Sequence, residues 1–429
     1  MGLKPAMEVY SSKRGWCVGT NNWNQVCNGG IGLGALAIAD EEPKLAGEIL
    51  AHGVASIPRA MEFYAPDGGG EEGVTYWDFG SRYNVLLMAS LESALGTDFG
   101  LSQIDGFRQS GDYQIFLCGT GRMAFDFSDC SLRTLSAPQH FWMARKYGIP
   151  RYAWFRYGAL AEGQSGNVTD LLWFHPVTQF PDAKDVPLDK LFRKVECGSM
   201  RDSWEPGKGF VVALQGGRNN GSHRHLDLGT FILEFDGVRW IIDSGKESET
   251  YQRHRNNQSR NDFYRIRAEG HNTLVFNPDK KPDQDPKGSA EFTPFRSEPT
   301  RATTSLDLTK AYADDVTKVV RTFALERGKR FTVTDEIVCK KPSTVWSFFH
   351  TEADVKLADD RRSATLTDKG KKLTVKLESP DAATFTVMPA EPLPSSPQIE
   401  KQADNSKRRK LAIRLEKVES TRIEVLFVR

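Results

Sequence analysis

Two apolar periodicities, separated by a proline-rich stretch, predict a multidomain chain: a helical α/α toroid or bundle followed by an antiparallel β-sandwich. Up to about residue 162 apolar residues recur at helical spacing; from Phe210 onward they alternate. Between these regions Pro176, Pro181 and Pro187 surround a polar centre. At 429 residues the chain is long enough for two domains. The predicted boundaries are a helical domain over 1–175, a linker over 176–189 and a β-sandwich over 190–429.

In order, Val26 to Asp40 is apolar and small, ending GGIGLGALAIAD, which suits a tightly packed helix. From Glu42 to Tyr64, Leu45, Ile49, Leu50, Val54, Ile57 and Met61 keep helical spacing, and Pro58 should kink or end that helix. After Gly68-Gly69-Gly70, Tyr83 to Leu95 reads as another helix, with more expected near 102–117, 136–147 and 149–162. Short connections between paired helices suggest the toroid or bundle. Strands are expected at Phe210–Leu214, Thr230–Phe235, Val238–Ile242, Thr273–Phe276, Val319–Leu325, Phe331–Ile337, Val345–His350, Leu373–Leu377, Leu411–Leu415 and Arg422–Val428. Turn residues between so many short strands favour a sandwich.

Composition narrows the function classes. Hydrophobic residues make up 39% and charged residues 26%, as in a globular protein. A net charge of +1 supplies no global field toward nucleic acid or a membrane. Six scattered cysteines without a CxxC pair imply neither a zinc ribbon nor a disulfide framework. No apolar run has transmembrane length, and MGLKPAMEVYSSKRGW lacks the apolar core of a secretory signal.

The densest chemistry lies in Asn219 to Gly245, NNGSHRHLDLGTFILEFDGVRWIIDSG. His223, His225 and Asp227 fall on alternate residues, which in an extended strand share one face. Asp236-Gly237 signals a two-residue hairpin, and the return strand leads to Asp243. A third strand, HNTLVFN, begins at His271. These strands should gather His225, Asp243 and His271, two imidazoles and a carboxylate, as ligands for a first-row divalent metal, zinc foremost. The plainer alternative is a pair of hydrogen-bonded core histidines.

Three other stretches stand out. TNNWNQVCNGG, Thr20 to Gly30, offers Asn21, Asn22 and Gln25 as neutral amides at a helix start, where an anion or an ordinary cap can be satisfied. EGVTYWDFGSRY, Glu72 to Tyr83, carries Tyr76, Trp77 and Phe79. YQRHRNNQSRNDFYRIR, Tyr251 to Arg267, holds arginines 253, 255, 260, 265 and 267, whose forks match carboxylates and sulfates. Arg224 lies beside the histidines, and Tyr251 and Tyr264 are further hydroxyls. A solvated loop or a core plug is the alternative for the last two stretches.

Taken together, NNW-x-x-V-x-N-x-G, the EGVTYW segment, HxHxD with its hairpin and D-x-G, and HNT resemble the heparinase II/III-like polysaccharide lyases, in the same order and over nearly the whole chain. Family members usually carry a long helical region before the NNW segment, so the resemblance implies a shortened, partial toroid here. It implies β-elimination at a uronate, with Asn22, then Asn21 or Gln25, neutralising the carboxylate. Tyr76, with Tyr83 as fallback, and His223 would move the protons, with base and acid unassigned between them. Arg224, Tyr251, Arg260 and Arg265 would bind substrate. A structural divalent metal, Zn2+ first, would sit on His225, Asp243 and His271. The implied partner is an acidic polysaccharide, glycosaminoglycans ahead of alginate, with neither nucleic acid nor membrane, in a secreted or periplasmic setting. Two rivals remain: a glycoside hydrolase, for which Asp78 with Glu71 or Glu72 is the available acid pair, and a non-catalytic polysaccharide-binding protein.

Overall fold

The computed structural model describes residues 2–135, 137–174, 176, 186–221, 223–251 and 259–429. Most of the predicted linker, 177–185, lies outside the described residues, as do Arg253, His254 and Arg255. The chain forms two compact units. One comprises Met1–Ile115, Leu135–Val186 and Phe192–Lys194; the other comprises Phe116–Thr134, Pro187–Leu191 and Val195–Arg429. Phe116–Thr134, read from sequence as part of the helical region, thus packs with the sheets.

In the helical unit Asn21 caps the helix Asn22–Ala37, its side chain accepting from the Trp23 amide at 3.2 Å. That helix packs against Val74–Leu95 so closely that a Cβ on Gly29 would lie 2.8 Å from the Tyr83 carbonyl oxygen. Contacts advance together along both helices, Gln25 to Gly80, Gly29 to Tyr83 and Gly32 to Leu87. The pair is therefore parallel, and Asn22 and Tyr76 belong to the same end of it. Pro58 interrupts as expected, dividing Pro43–Ser56 from Pro58–Met61. Val74–Leu95 begins nine residues before the predicted start, so the whole EGVTYW tyrosine segment is helical from Val74.

The second unit is a sandwich of antiparallel sheets. A five-stranded sheet holds Cys197–Arg201, Phe210–Gln215, Phe231–Phe235 and Val238–Ile241 among its strands. A ten-stranded sheet is centred on Arg330–Thr351 and Arg409–Val428. Each of those long strands joins two predicted ones, because β-bulges between Val338 and Val345 absorb the irregular middle without ending the ladder. Phe231 from the smaller sheet packs on Phe323, Phe331, Phe349 and Phe427 of the larger, with centroids 5.5–6.1 Å apart. The Asp236-Gly237 turn has positive φ at both residues, 48° and 79°, as a primed hairpin requires.

Two buried polar devices fix the loops above this core. Asn272 donates to the carbonyls of Phe231 (2.8 Å) and Ile242 (2.7 Å), and its oxygen accepts from the His350 amide (2.7 Å). Arg321 makes a two-pronged pair with Asp335 at 2.7 and 2.8 Å and donates to the Gly229 and Asn272 carbonyls. The HNT segment and the residues before Phe231 are thereby held to one position.

Candidate functional site

Residues 223–229 do not continue the strand that alternation predicted; the strand begins at Phe231. His223 has φ of 59°, the Arg224 amide turns back to the Gly221 carbonyl, and Gly229 has φ of 88°. This broken backbone separates the three residues into two groups. His225 and Asp227 turn inward with His271, and His223 stays half-exposed beside Tyr251.

His225, Asp227 and His271 are fully buried and offer ligand atoms all within 4.8 Å of one another. Among the described residues, His225 Nδ1, Asp227 Oδ1 and His271 Nε2 have no hydrogen-bond partner. Each imidazole spends its other nitrogen on a carboxylate: His225 Nε2 on Asp129 Oδ1 at 3.0 Å and His271 Nδ1 on Asp243 Oδ2 at 2.9 Å. Ser128 donates to the second oxygen of Asp227 at 3.2 Å. Burial lowers the pKa of His225, favouring the neutral ring that a metal requires. Burial also opposes charge on His271, but the carboxylate of Asp243 outweighs it and raises that pKa; Asp243 itself is held down to about 2 despite its burial. Two imidazole lone pairs and a carboxylate oxygen, each backed by an outer hydrogen bond, fit a divalent cation.

The carboxylate in this cluster is Asp227 rather than the expected Asp243. Asp243 follows the return strand and accepts from His271 on one oxygen and from the Gly245 amide on the other. It is hydrogen-bonded to one imidazole of the candidate cluster.

Asp129, which no sequence pattern marked, is the hub of the neighbouring group. It is 1% exposed. Its Oδ2 accepts from His223 Nδ1 at 3.0 Å, from Arg260 Nη2 at 2.8 Å and from the Tyr251 hydroxyl, while Oδ1 takes His225. Burial would raise its pKa; the hydrogen bonds from His223 and His225 and the charges of His225 and Arg260 outweigh it and hold the carboxyl far below its usual range. Tyr251 Oη also lies 2.8 Å from His223 Nδ1, with the two rings stacked and Tyr251 45% exposed.

Much of the expected arginine wall is consumed internally. Arg224 is buried and donates to the carbonyls of Val195, Gly216 and Arg218. Arg265 donates to Asn405 Oδ1 and to the carbonyls of Lys246 and Asp404. Arg267 is fully buried against Asp283. Of these arginines, Arg260 is the one that joins the His223 group among the described residues. Tyr264 is a core residue whose hydroxyl bonds His350 Nε2 at 2.7 Å.

In the helical unit Asn22 is half-buried on the first turn of its helix, and Asn21 is its exposed cap. Gln25 is buried, bonds the Tyr64 hydroxyl at 2.9 Å and packs on Gly80, so it is a packing residue rather than a substrate contact. Tyr76 is half-buried; Tyr83, two turns later, packs its ring on Phe79. Asp78, the hydrolase candidate, is buried, with Arg82 on both of its oxygens and Gln139 on one.

Comparison with known proteins agrees with this fold. The family model described as heparinase II/III-like, C-terminal, matches residues 204–423, just over half of the chain. No curated protein matches the sequence. Among solved structures, a heparan sulfate lyase, HepC, from Pedobacter heparinus superposes with a TM-score of 0.68 at 14% identity, over 95% of this chain and 59% of that one. A heparinase III structure gives 0.71 at 15% identity over 95% and 61%, and the BT4657 heparinase III gives 0.64 at 15% over 95% and 59%. At these identities the likeness is one of fold, and the chain spans about three-fifths of the length of those structures.

Proposed function

The chain belongs to the heparinase II/III-like family, and from that premise we propose that it is a polysaccharide lyase cleaving uronate-containing chains by β-elimination. The observation that carries the proposal is the His223 group. A half-exposed imidazole is held through Nδ1 by a buried carboxylate, with a tyrosine hydroxyl and a guanidinium alongside.

In this reaction a base removes the C5 proton of the uronate. The electron pair moves toward the carboxylate, forms the C4–C5 double bond and expels the C4 oxygen, which takes a proton from an acid. We assign the C5 proton or the leaving-group proton to His223 and the other to Tyr76. Asn22 hydrogen-bonds the carboxylate as negative charge grows on it. Tyr251 is a second hydroxyl for the same step, favoured by its 2.8 Å approach to His223. Gln25, buried against Gly80 and Tyr64, is set aside, and Tyr83, half-buried like Tyr76, stays the fallback hydroxyl. His225, Asp227 and His271 would hold a divalent metal, zinc first by donor type. When bound, the ion supplies a fixed charge that ties the residues before Phe231 to the HNT segment.

The substrate is proposed to be a glycosaminoglycan, with heparan sulfate first because that is what the named neighbour acts on, and alginate second. The internal use of Arg224, Arg265 and Arg267 removes much of the charge argument for a heavily sulfated chain. A panel of heparan sulfate, chondroitin, hyaluronan and alginate, read by the ultraviolet absorbance of the unsaturated uronate and by new reducing ends, tests the reading. Absorbance rising with reducing ends is expected. Reducing ends without absorbance would mean hydrolysis, and binding without either would mean a non-catalytic protein.

A further inference from the structure

We infer that Asp129 is a positioning residue that fixes opposite tautomers on two histidines at once, Nδ1–H on His223 and Nε2–H on His225. The inference rests on reading His223 as the proton-transfer residue and His225 as a metal ligand.

Counting donors and acceptors fixes both rings. An ionised carboxylate only accepts hydrogen bonds. His225 presents Nε2 to Asp129 Oδ1 at 3.0 Å, so that nitrogen carries the hydrogen and the lone pair sits on Nδ1. That leaves Nδ1, buried and without a hydrogen-bond partner, as the lone pair His225 can offer beside Asp227 and His271. His223 presents its other nitrogen, Nδ1, to Asp129 Oδ2 at 3.0 Å and to Tyr251 Oη at 2.8 Å. Tyr251 has one hydroxyl hydrogen, and Asp129 receives it, so the tyrosine oxygen is an acceptor toward His223. Both neighbours of His223 Nδ1 therefore demand a hydrogen there, and the lone pair falls on Nε2, the nitrogen through which the ring takes up or returns the reaction's proton. Arg260, 2.8 Å from Oδ2, favours the anionic form on which both tautomers depend.

One carboxylate thus sets the ligand ring with one oxygen and the proton-transfer ring with the other. The Asp129 amide also donates to the His223 carbonyl at 3.2 Å, so the same residue anchors the left-handed turn that carries the ring. Asparagine cannot replace it. The asparagine side chain would offer one acceptor oxygen and one NH2 donor, so one histidine must switch tautomer or lose its bond.

The test is nitrogen-15 NMR of selectively labelled histidine in the intact protein, chelator-treated and then zinc-loaded, with His223→Gln and His225→Gln identifying the signals. The expected result is Nδ1–H at His223 and Nε2–H at His225. The same tautomer at both positions, or the reverse pair, overturns the inference without any activity being needed. In Asp129→Asn, zinc affinity or kcat should fall about 10- to 100-fold, the usual effect of losing an orienting partner, with KM nearly unchanged. A folded variant with wild-type zinc affinity and wild-type kcat, or one losing only thermal stability, also overturns it. If Asp129→Asn does not fold, the wild-type NMR result decides. Wild-type protein inert toward every uronate polymer would refute the lyase reading alone, leaving the tautomer and zinc measurements to judge Asp129.

Discussion

Replacing Asp227 and Asp243 separately by asparagine distinguishes a ligand from the residue behind one. Asp227 belongs to the cluster and keeps one buried, unpartnered oxygen, whereas Asp243 spends its oxygens on His271 Nδ1–H and the Gly245 amide. Structural zinc sites bind with roughly 10–16 kcal/mol in total, so losing one of a few charged donors should cost about 3–5 kcal/mol, or two to four orders of magnitude in affinity. Asp243→Asn keeps an oxygen able to accept from His271 and should cost only about 1.4–2.7 kcal/mol, a 10- to 100-fold loss. Competition titration of the purified variants against a zinc chelator, with metal content measured on each, gives both numbers. Asp227→Asn should lose its metal under conditions where Asp243→Asn retains it. The reverse order would make Asp243 the ligand and refute the assignment drawn from the unpartnered atoms.

Other consequences are open to direct measurement. Asn272→Ala strips the partners from two buried carbonyls and one buried amide; at about 1–3 kcal/mol each it should cost the sheet unit roughly 3 kcal/mol or more in urea unfolding, and a loss under about 1 kcal/mol would contradict its role. His223→Ala and Tyr76→Phe should each lower kcat by about two to four orders of magnitude while circular dichroism stays unchanged; full activity in Tyr76→Phe with a dead Tyr251→Phe would move the hydroxyl role to Tyr251. His140 is buried with Nε2 on the Gly111 carbonyl, and burial pushes its pKa down to about 4. Its folded pKa is below the unfolded value, so this contribution is complete above about pH 6.5 and is lost as pH falls toward 4, about 3 kcal/mol in all. His140→Gln should flatten the stability profile in that window, and an unchanged slope would remove His140 as its cause.

The order of a helical part and then antiparallel sheets was readable because period 3.6 and period 2 each fill one region, and the Asp236-Gly237 turn because its residues tolerate positive φ. The candidate metal cluster was partly readable. HxHxD and HNT marked His225, Asp227 and His271, but alternation suggested a strand that the turn at Gly221 and the left-handed Gly229 do not allow. The choice between Asp227 and Asp243 depends on which carboxylate keeps an unpartnered oxygen, a fact of packing rather than pattern. Asp129 could not be found, since its histidine partners lie 94 and 96 residues away with no local signature. The arginines misled for a related reason. Their density was visible, but whether a guanidinium faces solvent or the carbonyls of its own loops is decided in three dimensions, and Arg224, Arg265 and Arg267 turn inward.

The most direct measurement is a brief digest of heparan sulfate, chondroitin, hyaluronan and alginate in heavy-oxygen water, with products weighed by mass spectrometry for wild type and His223→Ala. Elimination breaks the C4–O bond without adding water. The account predicts wild-type products with an unsaturated uronate end and no solvent oxygen, and none from His223→Ala. Products carrying one heavy oxygen per cleavage, or unsaturated products formed equally well by His223→Ala, would contradict it.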